Sequence, residues 1–138
     1  MKAKEYLEQI KKADERIQNK SVELYQLKCL ATSVTVATDK EPVMTSGVSD
    51  KVGNTVVKII ELSEQINAEI DAFVELKAEC IKVIEQIENS LEYTILHQHY
   101  VQYKTLAQIA IEKCYTHQYI IERHKKALEK IQNILNNL

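Results

Sequence analysis

Glycine and proline are nearly missing: two Gly and one Pro occur in 138 residues. These residues disfavour a helix interior most, by about 1 and 3 kcal/mol relative to alanine. Their scarcity leaves little to interrupt helices and points to an all-α protein. Two glycines also exclude a phosphate-cradling glycine loop. Cysteine is scarce and odd in number: Cys29, Cys80 and Cys114 stand far apart, with no Cys-x-x-Cys pair. That excludes a disulfide framework and reads as thiols in a reducing cytoplasm. No apolar run approaches the ~18 residues of a spanning helix. The opening Met-Lys-Ala-Lys-Glu has no apolar signal core. The expectation is a cytoplasmic protein with no membrane partner.

A strong charge of one sign is lacking too. The formal net charge is −2, so the chain as a whole is no basic nucleic-acid coat. The distribution is uneven. Residues 1–89 hold 12 Lys and Arg against 16 Asp and Glu, whereas residues 90–138 hold 6 against 4 and all four histidines. The C-terminal third is therefore the side to meet a polyanion.

What is present is helical periodicity. Residues 2–30 carry a seam at Tyr6, Ile10, Ala13, Ile17, Leu24 and Leu27, with Ala31 just beyond, at heptad steps. Lys20 falls on that seam and must snorkel or find an acid. Residues 32–48 hold Pro42, Gly47 and many Thr and Ser, and read as a connector. Ser46 or Ser49 is a candidate cap for the next helix. Residues 50–89 resume the seam at Val52, Val56, Ile59, Ser63, Ile66, Ile70, Phe73, Lys77, Cys80, Ile84 and Ile87. Leu62, Leu76 and Ile81 broaden it. The spacing predicts two long helices folding back as an antiparallel coiled-coil hairpin over residues 1–89. Its broad apolar face calls for a cover, and a second copy of the chain is the simplest one, giving a homodimer through residues 1–89.

Asn89-Ser90 marks a break, with Ser90 the expected N-cap of a helix over 91–103. Thr105 with Gln108 fits a capping box ahead of a short helix over 106–113. Thr116 caps a last helix over 117–135. This is the layout of a helix-turn-helix, whose second helix enters the DNA major groove. Ala110 supplies the small residue where the two helices approach. Cys114 holds the turn position that needs a left-handed backbone, usually Gly, at a cost of roughly 1 kcal/mol. Leu106, Ile109, Tyr115 and Ile120 are the expected small core, and Ala127, Leu128 and Ile131 pack back on 91–103. Residues 90–138 form the expected C-terminal domain.

Helical spacing then turns His117, Gln118, Ile121, Glu122 and Lys125 outward. Gln118 suits adenine, Glu122 the amino group of cytosine and Ile121 a thymine methyl. Lys104, Lys125 and Lys126, with the Thr105 and Thr116 hydroxyls, are candidates for phosphates. The competing reading of this face is a solvated surface for protein contact.

The run Thr105…Ile109-Ala110…Cys114-Tyr115-Thr116…Ile120…Lys126-Ala127-Leu128 resembles region 4 of bacterial sigma factors, the helix-turn-helix that reads the upstream promoter element. Nearly end to end, the chain is similar to a phage and prophage family of low-GC Gram-positive bacteria, sigma-factor-like or late-transcription regulators. The matching segments are Leu30-Ala31-Thr32-Ser33, Ser46-Gly47 with Asp50-Lys51-Val52, Ile66-Asn67-Ala68-Glu69-Ile70-Asp71, and His99-Tyr100-Val101. Cys114 stands for the family's Gly, His99 for an Arg and Arg123 for an apolar residue. The resemblance implies a transcription regulator that binds double-stranded DNA, with host RNA polymerase as a further partner.

Other chemistries find little support. His97 and His99 lie two apart on a helix and face different ways, and no four-ligand set has zinc spacing. No Ser-His-Asp or Cys-His signature occurs, and acid pairs such as Glu61/Glu64 and Glu85/Glu88 lie on solvated faces. The expectation is no enzyme, no cofactor and no metal. The second function class is a protein-interaction module that keeps a degenerate helix-turn-helix to dock RNA polymerase or a phage packaging component.

Overall fold

The structure is a computed structural model that describes the backbone of residues 1–40 and 46–138 and the side chains of residues 1–32 and 53–138. Its elements are α1 (Ala3–Lys40), α2 (Ser46–Glu85), α3 (Ser90–Leu96), a π-helical segment (His97–Val101), α4 (Leu106–Lys113) and α5 (His117–Asn136). The protein is all-α, with no strand among the described residues. Nor is any helix among them long and apolar enough to cross a membrane.

The connector expected over 32–48 is shorter than that. Helix α1 continues to Lys40 and α2 starts at Ser46. Residues 31–41 contain neither Gly nor Pro, and β-branched residues lower helix propensity only weakly. The Thr32 hydroxyl donates to the Lys28 carbonyl at 3.0 Å, a back-bond that helices tolerate. Pro42 and the side chains of Ser46 and Ser49 lie outside the described residues.

Contacts divide the chain into two compact units, Met1–Asp14 with Phe73–Leu138, and Glu15–Ala72. The division differs from the 89/90 boundary read from sequence. The first turns of α1 and the last turns of α2 share a core with the C-terminal helices. That core holds Ala3, Leu7 and Ile10 from α1, Cys80, Val83 and Ile84 from α2, and Leu96, Tyr100, Ala127 and Ile131. Ala127 and Ile131 thus pack back on the α3 region as expected, and on two further helices as well. The backbone N–H of Ala3 donates to Gln132 Oε1 at 2.8 Å, tying the start of α1 to α5. Burial pushes the Cys80 thiol up, and burial followed by the neighbouring Cys80 raises the Tyr6 hydroxyl to about 12.

In Glu15–Ala72 the inward residues are Ile17, Lys20, Leu24 and Leu27 on α1 and Thr55, Ile59, Leu62, Ile66 and Glu69 on α2. Ile66 is buried and the others are half-buried. Lys20 finds its acid: its Nζ lies 2.6 Å from Glu69 Oε1, with Arg16 Nε at 3.1 Å from the same oxygen. The hydrogen bond from Lys20 holds the Glu69 carboxyl below the usual carboxylate range. Val56 and Ile70, expected on the seam, are exposed instead. Helix α2 carries more apolar residues than one seam can take, and the inward stripe runs one residue earlier.

Candidate nucleic-acid interface

Local rules build the segment from α4 to α5. The Thr105 hydroxyl accepts the Gln108 N–H at 3.1 Å, and the Gln108 side chain accepts the Thr105 N–H at 2.8 Å. This is the reciprocal capping box expected from the sequence. Thr116 caps α5 by accepting the Tyr119 N–H at 3.2 Å. Each hydroxyl keeps its own O–H to donate, for instance to a phosphate oxygen.

Between the two helices Cys114 sits at φ 61°, ψ 38°, the left-handed conformation expected there. The Tyr115 N–H donates to the Ala110 carbonyl at 3.0 Å and the Cys114 N–H to the Ile111 carbonyl at 3.3 Å. These two bonds close the end of α4 in the Schellman pattern, with cysteine where glycine is usual. Ile109, Ala110 and Ile120 are buried together with Ile95 of α3, and Leu91 and Leu106 flank them. Tyr115 is not in this core as expected. It is 46% exposed, and its ring lies 5.1 Å from that of Tyr119. Ile95 fills the centre without a hydroxyl needing a partner.

The preceding helix also differs from expectation. Asn89, not Ser90, is the N-cap of α3, accepting the Glu92 N–H at 3.0 Å. The α-helix stops at Leu96 and widens into the π-helical turn His97–Val101. Tyr103 then takes a positive φ of 62°. The Lys104 N–H donates to the Gln98 carbonyl at 2.9 Å, and His99 Nδ1–H donates to the Lys104 carbonyl at 2.7 Å. The chain is thereby turned into the Thr105 cap. Glu8, Lys11, His99, Tyr100, Tyr103, Lys104 and Thr105 line an open cleft of about 220 Å³ beside it.

His117, Gln118, Glu122, Lys125 and Lys126 are exposed on α5, as is Ile121 at 37%. Gln118, Ile121, Glu122 and Lys125 share one face by spacing. Gln118 Nε2 reaches Glu122 Oε1 at 3.5 Å. Lys104 is half-buried, with its Nζ 2.8 Å from Glu112. Lys113, Lys125 and Lys126 make no ion pair among the described residues.

Two networks beneath this face escaped sequence reasoning. Glu92 is 1% exposed and is gripped by Arg123 at 3.0 Å and Lys130 at 2.5 Å. Arg123 and Lys130 lie two turns apart on α5, so one face offers both to the carboxylate. Arg123 is thus one of two cations held against a buried carboxylate. The second network joins Tyr100 and His124, whose Oη and Nε2 are 2.8 Å apart, with the His99 ring 5.2 Å from that of His124. Burial, then His99 and Lys4, lower His124 to about 4, so it is neutral near pH 7. Burial also raises the Tyr100 hydroxyl above its ordinary value. Among the described residues no three His, Cys, Asp or Glu are grouped to hold a metal ion.

The chain matches no family model, and no curated protein or solved structure matches it.

Proposed function

We propose that α4, its turn and α5 act as a helix-turn-helix and that the protein is a DNA-binding transcription regulator. The observation that carries this reading is the turn at Cys114. It locks the short α4 and the start of the longer α5 around Ala110 and Ile120 while leaving the polar face of α5 exposed. In this reading α5 lies in the major groove, with Gln118, Ile121 and Glu122 at base edges. Lys125, Lys126, Thr105 and Thr116 take phosphates, and Lys11 joins Lys104 at the cleft next to the α4 cap. The likeness to sigma region 4 and to phage late-transcription regulators favours promoter DNA beside host RNA polymerase, in the cytoplasm. The long helices form an antiparallel hairpin, in keeping with Glu69 meeting Arg16 and Lys20. No catalytic step and no cofactor belong to this reading.

Fluorescence anisotropy with host or phage promoter DNA at low salt tests it. Binding is expected to weaken with salt. Lys125→Ala with Lys126→Ala should lower the slope of log K against log salt by about 1.8, at about 0.9 per phosphate. Flat titrations to tens of micromolar on every DNA overturn the reading.

A second reading rests on a different observation. Ile111 is 79% exposed, and Tyr115 and Tyr119 present a ring pair nearby in the chain. Such apolar surface suits a protein partner, RNA polymerase or a packaging component. Retention of that partner from nuclease-treated host lysate, with no DNA binding, would favour this reading.

A further inference from the structure

The cleft beside the α4 cap has two unlike sides. Glu8 and Lys11 of α1 form one, and His99, Tyr100, Tyr103 and Thr105 stand on the other. All of them belong to the compact unit Met1–Asp14 with Phe73–Leu138. The rings are held by bonds of their own. The Tyr100 hydroxyl pairs with His124 Nε2 at 2.8 Å, the Tyr103 hydroxyl donates to Asp14 Oδ2 at 2.7 Å, and His99 Nδ1–H donates to the Lys104 carbonyl at 2.7 Å. They therefore offer mainly ring surface to whatever enters. The Lys104 ammonium, also at the cleft, is spent on Glu112 at 2.8 Å. The remaining polar groups have capacity to spare. Lys11 makes no ion pair among the described residues, and the cation near Glu8 is Lys4, whose Nζ at 4.0 Å is at the edge of ion-pair range. The Thr105 oxygen accepts the Gln108 N–H, which leaves its O–H to donate. The cleft thus joins an open carboxylate and an open ammonium, three residues apart on one face of α1, with a hydroxyl and a wall of rings.

We propose that this cleft binds a free α-amino acid with an apolar side chain. Glu8 takes the ammonium, Lys11 and the Thr105 O–H take the carboxylate, and the side chain lies against Tyr100, Tyr103 and His99. Charge selects the class of ligand. A small anion enclosed here would meet the Glu8 carboxylate, and a small cation would meet Lys11. A zwitterion pairs with both and leaves neither charge facing its like. Size selects within that class. The cleft's 220 Å³ is roughly seven water volumes at ~30 Å³ each, below the ~300 Å³ at which pockets for larger ligands begin. That suits a single amino acid and excludes a nucleotide or a peptide. Because the three rings are already held, little side-chain freedom is lost when the ligand enters. Thr105 and Lys11 also serve the DNA reading, so a bound amino acid would compete with DNA for them. That consequence rests on the DNA reading, whereas the site itself does not.

Amide chemical-shift titration of the full chain with L-phenylalanine and with L-leucine, without DNA, tests the site. At least one of them is expected to move the Tyr103, Lys104 and Thr105 amides with a Kd below about 1 mM. Removing either charge from the ligand should weaken binding at least about tenfold. The probes are phenethylamine and hydrocinnamate for L-phenylalanine, and isopentylamine and isocaproate for L-leucine. Glu8→Gln and Lys11→Met should each weaken binding by a similar factor. Both positions lie at the surface of α1, and an otherwise unchanged amide spectrum would show the fold kept. Lys12→Met, next to Lys11 and outside the cleft, should bind like the wild type. No shift with either amino acid up to about 10 mM overturns the proposal. So does a Kd that the amine or the acid alone reproduces, or one that neither Glu8→Gln nor Lys11→Met changes. None of these results bears on whether α5 binds DNA, which the anisotropy titration decides separately.

Discussion

In Met1–Asp14 with Phe73–Leu138, Ile84, Ile95, Ile109, Ile120 and Ile131 are all fully buried; in Glu15–Ala72, Ile66 is the buried hydrophobic among the described residues, while Ile60 stands 52% exposed. Both regions are amphipathic helix with similar residues at similar spacing. The difference is the number of helices that meet. Where α1, α2, α3 and α5 converge, each apolar stripe finds a cover on several sides. Where two helices lie alone, each buries one stripe and leaves the next in water. Burial is thus a property of the neighbours a helix finds, and the same pattern gives a core in one place and an open seam in another.

The sharpest way to break this comparison is one substitution made in both regions. Ile120→Ala should cost about 3 kcal/mol in urea unfolding, because a fully buried isoleucine leaves a cavity. Ile60→Ala should cost under about 1 kcal/mol, because the side chain is half in water already. Equal costs would mean that the two regions are packed alike.

A second contrast sets a buried cation against an exposed one on the same helix. Arg123→Ala strips Glu92 of one of its two partners and should cost about 2 kcal/mol, less than the full ~3–5 kcal/mol of a broken buried pair because Lys130 remains. Lys125→Ala should change stability by less than about 0.5 kcal/mol. Thermal unfolding of both variants at one pH decides it. A third test uses acid. His124 titrates near 4 when folded, below its ordinary 6.5. The unfolded chain therefore takes up the proton first as pH falls. The stability held by neutral His124 is complete above about 6.5 and drains away between 6.5 and 4. His124→Gln should flatten the stability profile in that window, and an unchanged slope would contradict it. The smallest effect is expected at the turn. Cys114→Gly removes a strained left-handed cysteine and should stabilise by up to about 1 kcal/mol, seen as a rise of a few degrees in Tm.

The parts of the candidate site that were legible in sequence are those made within a few residues. Thr105 and Gln108 cap each other three positions apart, Thr116 caps α5 the same way, and the strain at Cys114 follows from a turn too short for any other path. The exposure of Gln118, Glu122 and Lys125 follows from helical spacing alone. The expected cap at Ser90 failed by one residue because Asn89 competes for the same N–H and wins it. Tyr115 was expected inside, and stands outside because Ile95 of another helix had already filled the space. Local spacing cannot report that competitor.

What the sequence determined by itself is the helical class, the caps at Thr105 and Thr116 and the tight turn. Each rests on propensity and on hydrogen bonds between near neighbours. Tertiary structure alone decided which of two equally spaced stripes on α2 turns inward. It alone brought Lys130 to Glu92 across 38 residues and made His124 a neutral partner of Tyr100. The physical reason is that desolvation and charge pairing depend on what arrives from distant parts of the chain, and no local pattern encodes the arrival.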